Sequence, residues 1–174
     1  MNFMNLSDIR FPRQLEADET AEPLRKALMT RTVKLWSGGD LDVARITMDD
    51  PLKKALRKAR LQGRISCGFE TIFDRLESER KGIANVRGRG GAPYGDRVSR
   101  LLLFSSDGAE RFYRHIESLL KVHAPRLLGC LLDIDCIALG SALTGKETRI
   151  KLLMAEHKDA VSDILRTMVA GRDI

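Results

Sequence analysis

Asp133 and Asp135 stand two residues apart at the end of an apolar run, LLGCLLDIDCI. On a strand both would point to one face, where paired carboxylates can hold a metal ion or exchange a proton. No histidine or glutamate completes a ligand pattern with them, so the expectation is a structural role at a strand end. A second near-motif follows. Gly140, Gly145 and Lys146 in GSALTGKE approach the glycine-rich loop that cradles nucleotide phosphates. Glu147 decides against it, because that place needs a hydroxyl for magnesium and a carboxylate repels phosphate. His115, His123 and His157 are scattered, and no Ser or Cys occupies a nucleophile context. Cys67, Cys130 and Cys136 are odd in number and form no CxxC or Cys/His pattern, which suits reduced thiols in the cytoplasm. The sequence thus predicts a noncatalytic protein without metal or cofactor.

The stronger chemical signal is positive charge. Residues 51–100 hold 13 of the 30 Lys and Arg but only 5 of the 24 Asp and Glu, a net +8 against +6 for the whole chain. Lys53, Lys54, Arg57, Lys58, Arg60 and Arg64 crowd one short segment, and Arg87 and Arg89 lie in RGRGG. Such groups gain affinity for nucleic acid by displacing counterions from phosphate, and arginines on a glycine-rich backbone also stack on bases. The alternative is a solvated, solubilising face.

The elements that would carry these residues can be read from pattern. The chain of 174 residues fits one main core. Residues 1–49 are expected to form an N-terminal extension: an irregular lead-in, a short helix after Pro23 with Leu24, Ala27 and Leu28 inward, then a β-hairpin of TVKLW (32–36), SGGD (37–40) and LDVARITM (41–48). Residues 50–174 are expected to form the main domain. Asp50–Pro51 starts a helix with Leu52, Ala55, Leu56 and Ala59 on its apolar stripe, and Gly63 ends it. A second helix has Phe69, Ile72, Phe73 and Leu76 on one face. Residues 82–97 lack periodicity and are read as a mobile basic loop. A strand (SRLLLFS) follows, then a helix with a start signal at Asp107 and Phe112, Ile116, Leu119 and Leu120 inward, then a strand over LLGCLLDIDCI buried on both faces. Arg149–Met154 is assigned a strand, and a helix begins near Lys158. This alternation favours a mostly parallel sheet with helices on both faces. No apolar run is long enough to span a membrane, and the first thirty residues do not form a secretory apolar region.

ARLQGRISCGFETIF (59–73) resembles the opening of the ribosomal kink-turn RNA-binding family of the L-seven-Ae type and its bacterial relatives. Ala59, Arg60, Gly63, Arg64, Ile65 and Gly68 stand where those relatives have an Ala-Arg pair, a glycine, a basic residue, an aliphatic residue and a second glycine. LGSALTG (139–145) is similar to the family's LG-x-A-x-G, one residue longer at Thr144. The resemblance covers roughly residues 50–171. It implies a three-layer α/β/α sandwich with a small mixed sheet, here preceded by the N-terminal extension with its hairpin. It also implies RNA contact through Gly68, Phe69, Glu70, Thr71 and Asp74, with the loop before Leu139 opposite. Where the family places asparagine, glutamate and lysine, this chain has Glu70, Thr71 and Asp74.

The expected function is therefore a cytoplasmic RNA-binding or ribosome-associated module in which Lys53, Lys54, Arg57, Lys58, Arg60, Arg64, Arg87 and Arg89 meet phosphate. The alternative is a protein-interaction domain that kept the fold and lost kink-turn recognition, as Glu70 and Asp74 would suggest.

Overall fold

The computed structural model describes residues 5–88 and 96–170. A 3-10 turn at Leu6–Asp8 precedes α1 (Arg13–Ala17), α2 (Ala21–Thr30), β1 (Thr32–Val33), β2 (Val43–Ile46), α3 (Asp50–Leu61) and β3 (Ile65–Cys67). There follow α4 (Phe69–Gly88), β4 (Arg100–Phe104), α5 (Glu110–Val122), β5 (Leu127–Leu132), α6 (Cys136–Thr144), β6 (Leu152–Ala155) and α7 (Lys158–Ala170). The strands form one open, mixed, six-stranded sheet in the order β1-β2-β5-β4-β6-β3. Among the described residues β2–β5 and β4–β5 are parallel pairs, while β1–β2, β3–β6 and β4–β6 are antiparallel. The sheet is accordingly mixed rather than mostly parallel: β6 returns against both β4 and β3.

Each face of the sheet carries its own core, which makes three layers. One core joins Leu15, Leu24 and Leu28 of α1 and α2 to Leu52 and Leu56 of α3, Leu139 of α6 and Val161 and Leu165 of α7. The other packs Ile72 and Leu76 of α4 and Ile116, Leu119 and Leu120 of α5 against Leu102, Phe104 and Met154. The alternation of β4 explains the division, since Leu101 and Leu103 face the first core and Leu102 and Phe104 the second.

The N-terminal residues are part of this body. Ile9, Phe11 and Leu15 are fully buried in the first core, where an irregular lead-in is expected from sequence. The hairpin exists but is short. Thr32 pairs with Ala44 and Val33 with Val43, whereas Leu35 and Trp36 fall in the connection. Through Ala44↔Cys130 and Ile46↔Leu132 its second strand continues directly into the main sheet.

Three other boundaries differ from the sequence reading. α4 runs on to Gly88, so residues 82–88 are helical rather than loop, and residues 89–95 of the expected loop lie outside the described residues. The run LLGCLLDIDCI is divided: its first six residues are β5, all buried, and Cys136 and Ile137 begin α6. Asp107 does not start α5, whose first turn has no side-chain cap; its carboxylate accepts the Cys136 N–H at 3.1 Å.

Candidate nucleic-acid interface

The basic segment is helix α3, and local signals account for its limits. Asp49, rather than Asp50, caps it by accepting the Leu52 N–H at 3.0 Å, and Pro51 occupies the first turn, where a missing N–H costs nothing. At the other end Gly63 takes the left-handed conformation (φ 71°). Its N–H donates to the Arg60 carbonyl and the Arg64 N–H to the Ala59 carbonyl, the two bonds that close a glycine-terminated helix. Leu52, Leu56 and Ala59 are buried, which turns Lys54, Arg57, Lys58 and Arg60 to solvent and leaves Lys53 half-buried.

These cations do different things. Arg57 reaches across to α6, donating from Nε to the Ala142 carbonyl at 2.8 Å and from Nη2 toward the Ser141 carbonyl at 3.4 Å. A cation at the carbonyl end of a helix satisfies groups that the helix cannot. Arg57 therefore sets α3 beside the turn that follows α6. Lys58 approaches Asp163 of α7 at 3.9 Å. Lys53, Lys54 and Arg60 form no ion pair among the described residues, and Arg64 is half-buried beside β3. Arg87 falls in the last turn of α4, and Arg89 lies outside the described residues.

Beyond Gly63, β3 leads to Gly68, whose φ of 90° favours glycine, and α4 begins at Phe69. The Gly68 N–H donates to the Leu152 carbonyl at 3.1 Å. An open groove lies here, with Cys67, Gly68 and Phe69 on one wall, Thr148 to Leu152 on another, and Phe112 of α5 completing it. The partner of Gly68 and Phe69 is thus the loop after α6, not the loop before Leu139. Arg149 and Lys151 are exposed on that loop.

Glycines and a threonine fix the loop. A β-carbon on Gly140 would lie 1.6 Å from the Thr148 carbonyl oxygen, so α6 and the loop touch backbone to backbone. Gly145 ends α6 in the left-handed conformation (φ 74°). The Thr144 hydroxyl donates to the Gly140 carbonyl and accepts the Lys146 N–H, which ties the turn to the last turn of the helix. Ile150 then donates to the Cys136 carbonyl at 3.0 Å. Gly140 sits inside a helix and Lys146 after it, an arrangement opposite to a phosphate-binding loop that feeds into a helix.

The first turns of α4 add aromatic rings. Phe69 and Phe73 lie nearly parallel (15°) with centroids 6.1 Å apart, and His115 meets Phe69 edge-on at 5.5 Å. Phe73 is 42% exposed, against the expectation that it joins Ile72 and Leu76 in the core. Glu70, Thr71 and Asp74 are exposed on the same turns. Their carboxylates disfavour phosphate where the family resemblance puts contacts.

The remaining chemically suggestive residues have local partners. Asp133 accepts from Arg45 Nη2 at 2.6 Å and lies 3.6 Å from Arg31, and the Arg45 hydrogen bond first, then the charges of Arg45 and Arg31, hold its carboxyl below the usual range. Asp135 caps α6 through the Ala138 N–H at 2.7 Å. His157 accepts the Asp159 N–H at 3.1 Å, and no disulfide joins Cys67, Cys130 and Cys136. Among the described residues no group of three or more His, Cys, Asp or Glu is placed to hold a metal ion, and no helix is long and apolar enough to cross a membrane.

No protein-family model matches the chain, and no curated protein matches it at a significant level.

Proposed function

We propose that this protein is a noncatalytic RNA-binding module, ribosome-associated in its setting and cytoplasmic, that holds phosphate on a basic surface formed by α3 and the loop after α6. The observation that carries the reading is the Arg57 contact with the Ser141 and Ala142 carbonyls. It places the exposed cations of α3 beside the segment that bears Lys146, Arg149 and Lys151, so two charged stretches far apart in sequence face solvent from adjoining elements. The resemblance to the kink-turn RNA-binding family supports the same reading, and so does the alternation of helix and strand from α3 to α7. Glu70 and Asp74 argue for phosphate contacts away from the first turns of α4. Arg60, Arg149 and Lys151 are better placed to supply them, and Arg87 and Arg89 extend the positive charge in sequence.

A second reading, a protein-interaction domain, draws on the exposed carboxylates of Glu70 and Asp74 and on Leu61, 82% exposed at the end of α3. The test that separates them is the salt dependence of binding to ribosomal RNA, for the parent and for a variant with Lys54, Arg60, Arg149 and Lys151 replaced by alanine. Arg57 stays because it joins helices. Each lost phosphate contact should lower the magnitude of the logarithmic salt slope by about 0.7 to 0.9. Equal slopes and affinities would remove the RNA reading and leave the protein-interaction one.

A further inference from the structure

The groove between the first turn of α4 and the loop after α6 combines two features that charge alone does not require. Its rim is cationic, with Arg149 and Lys151 exposed on one wall. Beside it the rings of Phe69 and Phe73 lie nearly parallel, and the outer one is 42% exposed on an otherwise regular helix. His115 braces Phe69 edge-on, and Phe112 closes the groove from α5. Phe69 also packs against the second core, so it is the fixed member of the pair and Phe73 the accessible one.

Burying both rings in the protein would have been the cheaper use of two phenylalanines. An exposed ring on a rigid helix, set next to cations, is instead the surface on which nucleobases stack, and such stacking requires bases that are not enclosed in a duplex. Duplex RNA offers phosphates but no free base face. Resting on the RNA-binding reading above, we infer that the Phe69–Phe73 pair is a stacking platform for unpaired nucleotides, whose phosphates lie along Arg149 and Lys151. Glu70 and Asp74 are exposed on the turns that carry the rings and oppose phosphate there, which turns the strand's backbone toward Arg149 and Lys151; Asp107 and Glu147 lie near those two cations and bound the positive side.

The test compares a single-stranded RNA of mixed sequence with a blunt-ended RNA duplex of the same length, by fluorescence anisotropy of labelled RNA. The proteins are the full chain and its Phe73→Ala, Phe73→Leu and Phe73→Tyr variants. Single strands should bind more tightly than the duplex. Phe73→Ala and Phe73→Leu should each weaken single-strand binding about tenfold, the size of one lost stacking contact. Phe73→Tyr should retain the parent affinity, and duplex binding should stay unchanged in all three. Because Phe73 is exposed, the variants should keep the parent's circular dichroism and urea midpoint, which separates a binding defect from a folding one. Equal single-strand affinities for Phe73→Leu and parent, or a preference for the duplex, would overturn the platform while leaving RNA binding standing. Failure of both RNAs to bind the parent protein would remove the RNA-binding reading itself.

Discussion

Gly140 and Thr148 meet so closely that a β-carbon on the first would sit 1.6 Å from the carbonyl oxygen of the second. Any side chain at 140 must push α6 and the loop apart. Gly140→Ala should therefore destabilise the fold by about 1 to 3 kcal/mol or more, the usual cost of overfilling a packed contact. It should also displace Arg149 and Lys151 from the groove. Urea unfolding reads the first effect, and RNA affinity under fully folded conditions reads the second.

Glu117 of α5 is 4% exposed, yet it is a carboxylate with three donors on it: Trp36 Nε1 at 2.8 Å and the Asp40 and Leu41 N–H groups at 3.2 and 3.1 Å. Lys121 lies 3.9 Å away. These bonds anchor the connection between β1 and β2 to the sheet's second face. Glu117→Ala strands the donors and should cost roughly 1 to 3 kcal/mol. Trp36 is the only tryptophan, so its fluorescence should shift toward that of a solvated indole before global unfolding.

His123 follows α5, with a side chain only 7% exposed and Nε2 lying 3.7 Å from Glu77. Burial pushes its pKa down from the ordinary 6.5; Glu77 and Glu79 oppose the shift, and Arg80 and Arg126 add to it. The native state therefore binds fewer protons than the unfolded chain just below the unfolded pKa. Stability from this group is present above about pH 6.5 and is lost as pH falls from there toward the depressed native value. Urea midpoints of the parent should drop across that window relative to those of His123→Gln. Parallel midpoints would show that His123 does not contribute.

Leu131 lies on β5, which has strands on both sides, and its side chain belongs to the second core. Leu131→Ala should cost about 2 to 5 kcal/mol, the range for emptying a packed site. A loss under half a unit would mean that the core closes around the gap.

Where the sequence is legible, the signals are local. Pro51 and Gly63 bound α3 because a first-turn proline and a left-handed glycine act within one turn, although the capping carboxylate is Asp49, one residue before the expected Asp50. The strands β4 and β5 are visible as apolar runs because they are covered on both faces. α6 is hidden for a different reason. Its exposed positions carry Ile137, Ala138 and Ser141 and its buried ones Cys136, Leu139, Ala142 and Leu143, so no strongly polar face marks the period, and Asp135 and Gly145 mark its ends. β3 has three residues, too few for alternation to register. Residues 82–88 read as loop because glycine and arginine there mask the continuation of α4. At the candidate interface, Lys54 and Arg60 follow from composition, whereas Arg149 and Lys151 do not. Their place beside Gly68 depends on the Gly140–Thr148 contact, and no window of sequence contains all of those residues.

The pairing of β2 with β5 bears on how short the protein can be made. Ala44, Arg45 and Ile46 cover one long side of β5 in parallel register with Cys130, Leu131 and Leu132. A truncated chain beginning at Asp50 would bare that side, leaving the backbone groups that Cys130, Leu131 and Leu132 turn toward β2 without partners on an apolar strand. Such an edge recruits another strand, most readily from an identical molecule. The shortened form should elute as oligomers or precipitate in size-exclusion runs where the full chain should stay monodisperse, the outcome expected if β2 guards β5 against self-association.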